Sequence, residues 1–147
     1  MSAQYSSKHG IVSRQPAEIY MAFTDMRNFL AMLPEDKKQG VTADYDTISA
    51  TVQGFTIGVK VTRREPYHYI ELQDNGAPFH FMVSFHFDQA DDPGRTDFHI
   101  DLLADLNVMM KMMIGSKIQE ALDKVVDGIV AVSEGRRPEG MPEDFKF

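Results

Sequence analysis

The fold is decided by residues 79–106, which read FHFMVSFHFDQADDPGRTDFHIDLLADL. On each side of the turn signal at 91–94, apolar and polar residues alternate, which is typical of strands with one buried face. The apolar positions are Phe79, Phe81, Val83, Phe85, Phe87, Phe98, Ile100, Leu102, Ala104 and Leu106. The pattern predicts two adjacent antiparallel strands that share one apolar face and one wet, acidic face.

The residues that precede this stretch extend the same sheet. Further strands are predicted near 41–45, 48–53, 55–65 and 67–73. In the longest of these, Ile57, Val59 and Val61 stand at alternate positions, which indicates a half-buried strand. Including a first strand at 5–13, the sequence predicts an antiparallel sheet of about seven strands.

Helices are predicted on both sides of this strand run. Pro16 stands early in a first short helix, where its missing N–H costs nothing, and Pro34 ends a second short helix. Asn107 is the predicted N-cap of a long helix at about 108–133. Segregated helices and a long antiparallel run indicate the α+β class.

Length, composition and charge indicate a single acidic domain. The 147 residues contain ten Phe and ten Met but no Cys or Trp, and carry a formal net charge of −7. We expect one domain at 1–134 and a C-terminal tail at 135–147. The absence of Cys excludes disulfides and fits the cytoplasm, as does the lack of a leader pattern at the N-terminus.

The same numbers exclude several kinds of partner. An acidic chain without clustered Lys and Arg is a poor match for nucleic acid. No stretch approaches about 18 uninterrupted apolar residues, so we expect no stable membrane insertion. The sequence has no phosphate-binding glycine-rich loop and no nucleophile motif, so no cofactor and no catalytic residue are predicted. The oligomeric state is left open.

Several short motifs, taken in their order and spacing, resemble the START-like or SRPBCC superfamily, especially its small bacterial members of the polyketide cyclase/dehydrase-like and lipid-transport type. They are Tyr5 and Ser7, Leu33 to Lys37, Arg64-Glu65-Pro66, Ala104 to Asn107, and Lys111, Met113, Gln119, Leu122, Lys124 and Asp127 in the long helix. The resemblance implies a helix-grip fold, in which a curved sheet wraps around the C-terminal helix and encloses a pocket. It does not imply a reaction, because fold alone does not define function.

The candidate pocket wall combines sheet aromatics with helix methionines. Its predicted members are Phe79, Phe81, Phe85 and Phe98 on the sheet, and Met109, Met110 and Met113 on the helix, facing each other. Flexible, polarizable Met side chains suit an adaptable apolar chamber. The same residues equally describe a filled core, and both interpretations stay open here.

Polar candidates are few. His9 shares its predicted face with Tyr5, so we expect it to point inward as a possible ligand anchor or acid/base, and Tyr20 is a second polar candidate. His80, His86 and His99 fall on the wet face near Asp97 and Asp101. They would bind Zn²⁺ only if their side chains converged, and a solvated acidic surface explains them equally, so no metal is assigned.

The leading functional hypothesis is a carrier or sensor for a small hydrophobic ligand, such as a lipid, an isoprenoid or an aromatic, polyketide-like metabolite. The first alternative is a cyclase/dehydratase-like enzyme that uses the same pocket, with His9, Tyr20 or Tyr69 as its polar groups. The second alternative is a protein-interaction module, for which the sequence contains no binding motif.

Overall fold

A computed structural model of the chain describes residues 2–32, 35–52, 54–77 and 79–135. The strands are β1 (Ser2–Ser6), β2 (Gly10–Val12), β3 (Val41–Ala43), β4 (Thr47–Val52), β5 (Phe55–Glu65), β6 (Tyr69–Asp74), β7 (Phe81–Gln89) and β8 (Thr96–Asp105). The helices are α1 (Pro16–Phe23), α2 (Arg27–Met32), a 3₁₀ turn at Glu35–Lys37, and α3 (Val108–Ser133). Pro34 and residues 136–147 of the expected tail lie outside the described residues.

The strands form one open, curved antiparallel sheet in the order β1-β8-β7-β6-β5-β4-β3, with β2 also paired to β8. The predicted pairing of β7 with β8 is confirmed, with Phe85 opposite Ile100 and Phe87 opposite Phe98. All four of these side chains are buried. The α+β fold class is therefore confirmed, with eight strands where about seven were expected.

The prediction of one continuous strand at 5–13 is wrong, because β1 and β2 are separate and one extra residue lies between their pairings with β8. Ser6 is opposite Asp101, whereas Gly10 is opposite Phe98. At the break, the Ser7 hydroxyl accepts a hydrogen bond from the backbone N–H of Ile100 at 2.8 Å, in place of a strand carbonyl. As in a β-bulge, the extra residue changes which positions face inward.

Helix α3 is held close to one side of the sheet. It begins as predicted, with the Asn107 side chain accepting a hydrogen bond from the Met110 N–H at 2.8 Å. Its near strands are β1, β2 and β8. A Cβ atom on Gly10 would lie 2.6 Å from Val126 and 2.7 Å from Val130, so this approach requires glycine. Among the described residues, no helix is long and apolar enough to cross a bilayer.

A β-bulge in β5 turns Arg64 toward the interior. The register runs from Val61 opposite Leu72 to Arg63 opposite Glu71, so Thr62 is the extra residue. Arg64 is consequently opposite the fully buried Ile70.

The inward Arg64 guanidinium joins three segments of the chain. Its Nε donates to Thr24 Oγ1 at 2.7 Å, and its Nη2 donates to the carbonyl oxygens of Thr24 and Tyr45. Its Nη1 contacts Asp46 Oδ1 at 2.7 Å, and the group lies 4.2 Å from the centre of the Tyr45 ring. Arg64 thus connects the α1–α2 junction with the β3–β4 turn.

The contact at Gly10 is tested by Gly10→Ala. We expect a loss of about 1–3 kcal/mol in the free energy of unfolding, because the added methyl group overlaps two stiff Val side chains. Urea denaturation measures the loss. Ile11→Ala is the control, since Ile11 is 45% exposed on the same short strand; an equal loss in both variants would contradict this explanation.

The two neighbouring arginines provide a second test. Arg64→Met should lower the free energy of unfolding by about 2–4 kcal/mol, because it leaves carbonyl acceptors without their donor. Arg63→Met should cost about 0.5 kcal/mol or less, as expected for a surface ion pair; the Arg63 side chain is 61% exposed and pairs with Glu65. Equal losses in urea denaturation would show that the inward bonds contribute little.

Candidate functional site

The apolar interior is divided into two buried clusters. The larger one joins α1 to the sheet and to the C-terminal half of α3, and its members include Phe23, Phe87, Phe98, Val126 and Ile129. The smaller one consists of Ala3, Ala104 and Leu106, with Tyr5, Phe79, Phe81, Leu102, Met110, Ile114 and Ile118 packed against it. Helix α3 bridges the two clusters, since Ile118 packs on the smaller one and Leu122 on the larger one.

Beside the larger cluster, the concave face of the sheet is only partly covered. Ile48, Val59, Val61 and Val83 are half-buried although they share the face of fully buried residues. Ile57, opposite Ala50 at the end of this row, is 43% exposed. Because α3 lies closest to β1, β2 and β8, these five side chains on β4, β5 and β7 stay partly uncovered, whereas Ile70 and Leu72 on β6 are buried.

One flank of α3 also carries incompletely buried aliphatic side chains. Ile118, Leu122 and Val125 recur at a spacing of three and four residues, so they lie on one side of the helix. Ile118 and Leu122 are half-buried, and Val125 is 44% exposed. We define the cleft as the space between this flank and the concave positions Ile48, Ile57, Val59, Val61 and Val83.

The structure distributes the predicted sheet aromatics over both clusters. Phe85 and Phe98 are buried, at 8% and 0% exposure, and pack with Phe23 and Phe87. Phe79 and Phe81 are half-buried beside the smaller cluster, together with Met110. Phe85 and Phe98 are therefore part of the packed core.

The predicted packing of Met109 and Met113 against the sheet phenylalanines is wrong. Their side chains are 70% and 66% exposed, and that of Met112 is 81% exposed. The reason is helical geometry, because each residue advances about 100° around the axis. Met110 belongs to the stripe with Ile114 and Ile118, whereas Met109 and Met113 fall outside it.

The predicted inward position of His9 is also wrong, because the extra residue between β1 and β2 reverses the side of the sheet that the following residues face. His9 lies on the outer face, where its ring stacks on His99 at 4.2 Å and its Nδ1 is 2.8 Å from Asp97 Oδ1. Tyr20 is buried in the larger cluster, in edge contact with Tyr67 and Phe87. Neither residue belongs to the cleft as defined here.

The outer face of β7 and β8 carries a stack of histidines that sequence reasoning did not assemble. His86 lies against His99 with ring centroids 4.3 Å apart and planes 5° apart, and His9 covers the other side of His99. Burial lowers the pKa of His99, and its neighbours His86 and His9 lower it further. The alternation of the two strands in the sequence already put His86 and His99 on the same outer face. The register that sets them opposite each other is visible only in the structure.

Tyr69 extends this polar face onto β6. It is opposite His86, and its hydroxyl donates to Glu71 Oε1 at 3.0 Å. Burial raises the pKa of Tyr69, and a hydrogen bond from Thr62 lowers the pKa of Glu71. Tyr69 is therefore on the opposite side of the sheet from the cleft.

Comparison with solved structures places this arrangement among helix-grip folds. A protein from Thermobifida fusca matches 92% of this chain and 97% of its own, with a TM-score of 0.67 and 9% identity. A norcoclaurine synthase point mutant from Thalictrum flavum, in complex with a transition-state analogue, matches 92% and 96%, with a TM-score of 0.61 and 12% identity. The Aha1 dimer from Colwellia psychrerythraea matches 82% and 96%, with a TM-score of 0.51 and 14% identity.

These likenesses establish the fold alone, since every identity is low. No protein-family model matches the sequence, and no curated protein sequence matches it significantly. The helix-grip fold implied by the sequence motifs is thus supported by structure.

The division between core and surface positions is tested by two substitutions. Phe98→Ala should lower the free energy of unfolding by about 3–5 kcal/mol, because it empties a fully buried site. Met113→Ala should change it by about 0.5 kcal/mol or less, as for other exposed positions. Urea denaturation measures both; a large loss in Met113→Ala would place this side chain in a packed environment.

Proposed function

We propose that the protein binds or transports a small hydrophobic ligand in the cleft between the concave face of the sheet and α3. The observation that carries the proposal is a row of aliphatic side chains on the concave face, of which Ile57 is 43% exposed and Ile48, Val59, Val61 and Val83 are half-buried. Apolar side chains that face a helix without being covered by it leave a surface for an apolar guest. A lipid, an isoprenoid or an aromatic, polyketide-like metabolite has the required chemistry.

The expected affinity follows from the area of contact. Burying a few hundred Å² of apolar surface contributes several kcal/mol at about 25 cal/mol per Å². Loss of translational and rotational freedom on association offsets part of this gain, so micromolar binding is the reasonable expectation. The bound transition-state analogue in norcoclaurine synthase supports small-molecule binding by a protein of this fold.

The enzymatic alternative has no specific support. Its three candidate groups are His9 and Tyr69, which lie on the outer face, and Tyr20, which packs in the core. The residues assigned to the cleft are all aliphatic and supply no acid or base.

The interaction-module alternative likewise rests on no contact or motif in the described residues. We propose the cytoplasm as the place of this activity, which the absence of Cys from the sequence fits.

Charged substitutions on the two walls of the cleft test this function. Ile57→Glu and Val125→Glu should each weaken binding of the fluorescent apolar probe N-phenyl-1-naphthylamine about 10-fold or more, because a carboxylate next to a buried apolar ligand must be desolvated. Both positions are more than 40% exposed, so the fold should tolerate the charge.

Each variant has a control at the preceding residue of the same element. Thr56→Glu precedes Ile57 on β5 and points to the outer face, and Lys124→Glu precedes Val125 on α3. Lys124→Glu also removes the exposed ion pair with Glu120, which contributes little to stability. Both controls should keep the affinity of the unchanged protein. Failure of the unchanged protein to bind the probe, together with native mass spectra without a co-purified ligand, would overturn the proposal, as would equal losses in the controls.

A further inference from the structure

Three potential metal ligands converge on the outer face of the sheet, on the side opposite the cleft. We propose that His86, His99 and Asp101 bind one divalent transition-metal ion, with Zn²⁺ as the ion to test first. This site is separate from the proposed hydrophobic cleft and does not depend on it.

The strand register brings these residues together. His86 on β7 is directly opposite His99 on β8, and Asp101 follows His99 by two residues. Directly opposed residues in an antiparallel pair have Cβ atoms about 4.5–5.5 Å apart, and residues two apart on a strand share a face. The three side chains therefore project from neighbouring points of a rigid pair of central strands.

The distances between the donor atoms suit a single small ion. Asp101 Oδ2 lies 3.1 Å from His86 Nε2 and 3.6 Å from His99 Nε2. For Zn²⁺ bonds of about 2.0–2.2 Å, the edge of a coordination tetrahedron is about 3.3–3.6 Å. The two observed distances lie close to this edge, and one donor atom of each residue falls within 4.8 Å of the other two.

Neighbouring groups select which atoms are available. The hydroxyl of Ser6 donates to Asp101 Oδ1 at 2.7 Å, so Oδ2 is the oxygen directed at the histidines. Nδ1 of His99 is buried without a hydrogen-bond partner, which leaves Nε2 as its accessible nitrogen. The Ser6 hydroxyl is an outer contact of the kind that orients metal ligands in known sites. His86 Nε2 lies 3.2 Å from Ser84 Oγ, and a bound ion would replace this contact.

The site is reachable from solvent. The side chains of His99, His86 and Asp101 are 16%, 27% and 32% exposed. A depression of about 260 Å³, lined in part by Ser84, opens at His86 and Asp101. Two imidazoles and one carboxylate are a donor set that Zn²⁺ accepts, with the fourth position left for water.

Binding of the ion requires a local rearrangement of the imidazole rings. The two rings are stacked with their planes 5° apart, whereas the lone pair of each Nε2 lies in its ring plane. The rings must therefore tilt so that their Nε2 atoms meet at the ion. Because His9 stacks on the other side of His99, the tilt of His99 also requires the His9 ring to move.

The first experiment uses the unmodified protein and zinc chloride. Isothermal titration should show one Zn²⁺ ion per chain. Long-range ¹H–¹⁵N spectra of the imidazoles should show that Nε2 of His86 and of His99 shifts on addition of Zn²⁺, whereas the nitrogens of His68 and His80 keep their positions. Absence of stoichiometric binding, or shifts confined to other histidines, would overturn the proposal.

Substitutions then assign the ligands. His86→Asn and Asp101→Asn should each weaken Zn²⁺ binding by at least the roughly 10–100-fold that loss of an outer contact costs in known sites. His80→Asn is the matched control, because His80 Nδ1 lies 3.0 Å from Asp74 Oδ2 but, among the described residues, belongs to no group of three potential ligands. Equal affinities in His86→Asn and His80→Asn would refute the site. The spectra of the unmodified protein decide the question if a variant does not fold.

Discussion

The close contact of α3 with β1, β2 and β8 is the constraint on which the rest of this structure depends. Gly10 and Gly115 allow it, since a Cβ atom on Gly10 would overlap two valines of the helix and one on Gly115 would lie 3.0 Å from the Tyr5 hydroxyl. These strands form one side of the sheet. A helix held there covers that side closely and leaves aliphatic residues of β4, β5 and β7 incompletely buried. This is the physical origin of the proposed cleft.

Two single-residue irregularities decide which polar groups face the interior. The extra residue between β1 and β2 removes His9 from the inside and adds it to the histidine stack outside. The extra residue at Thr62 turns Arg64 inward, where its guanidinium binds Thr24 and Asp46. Because a strand alternates with period two, one inserted residue reverses every later assignment on that strand.

The regular elements were predictable because their signals are local. The alternation over 79–106 and the Asn107 cap determine β7, β8 and the start of α3 from neighbouring residues alone. The position of His9 was predicted wrongly because the alternation of β1 was extended past the break after Ser6. Met109 and Met113 were assigned to the pocket because Met is abundant there, although their spacing does not fit the apolar stripe. The apolar stripe of α3 already excluded those two methionines, since only Met110 is in phase with Ile114 and Ile118.

By itself, the sequence determined the α+β class, the apolar and polar faces of the central strands, and the long helix, because propensity and periodicity act over a few residues. Only the tertiary structure decided that the helix leaves part of the concave face open, and that His86, His99 and Asp101 meet at one point. Both depend on pairings between residues far apart in the chain. Alternation states which face a side chain occupies, whereas the register across strands and the distance of the helix determine what it meets there.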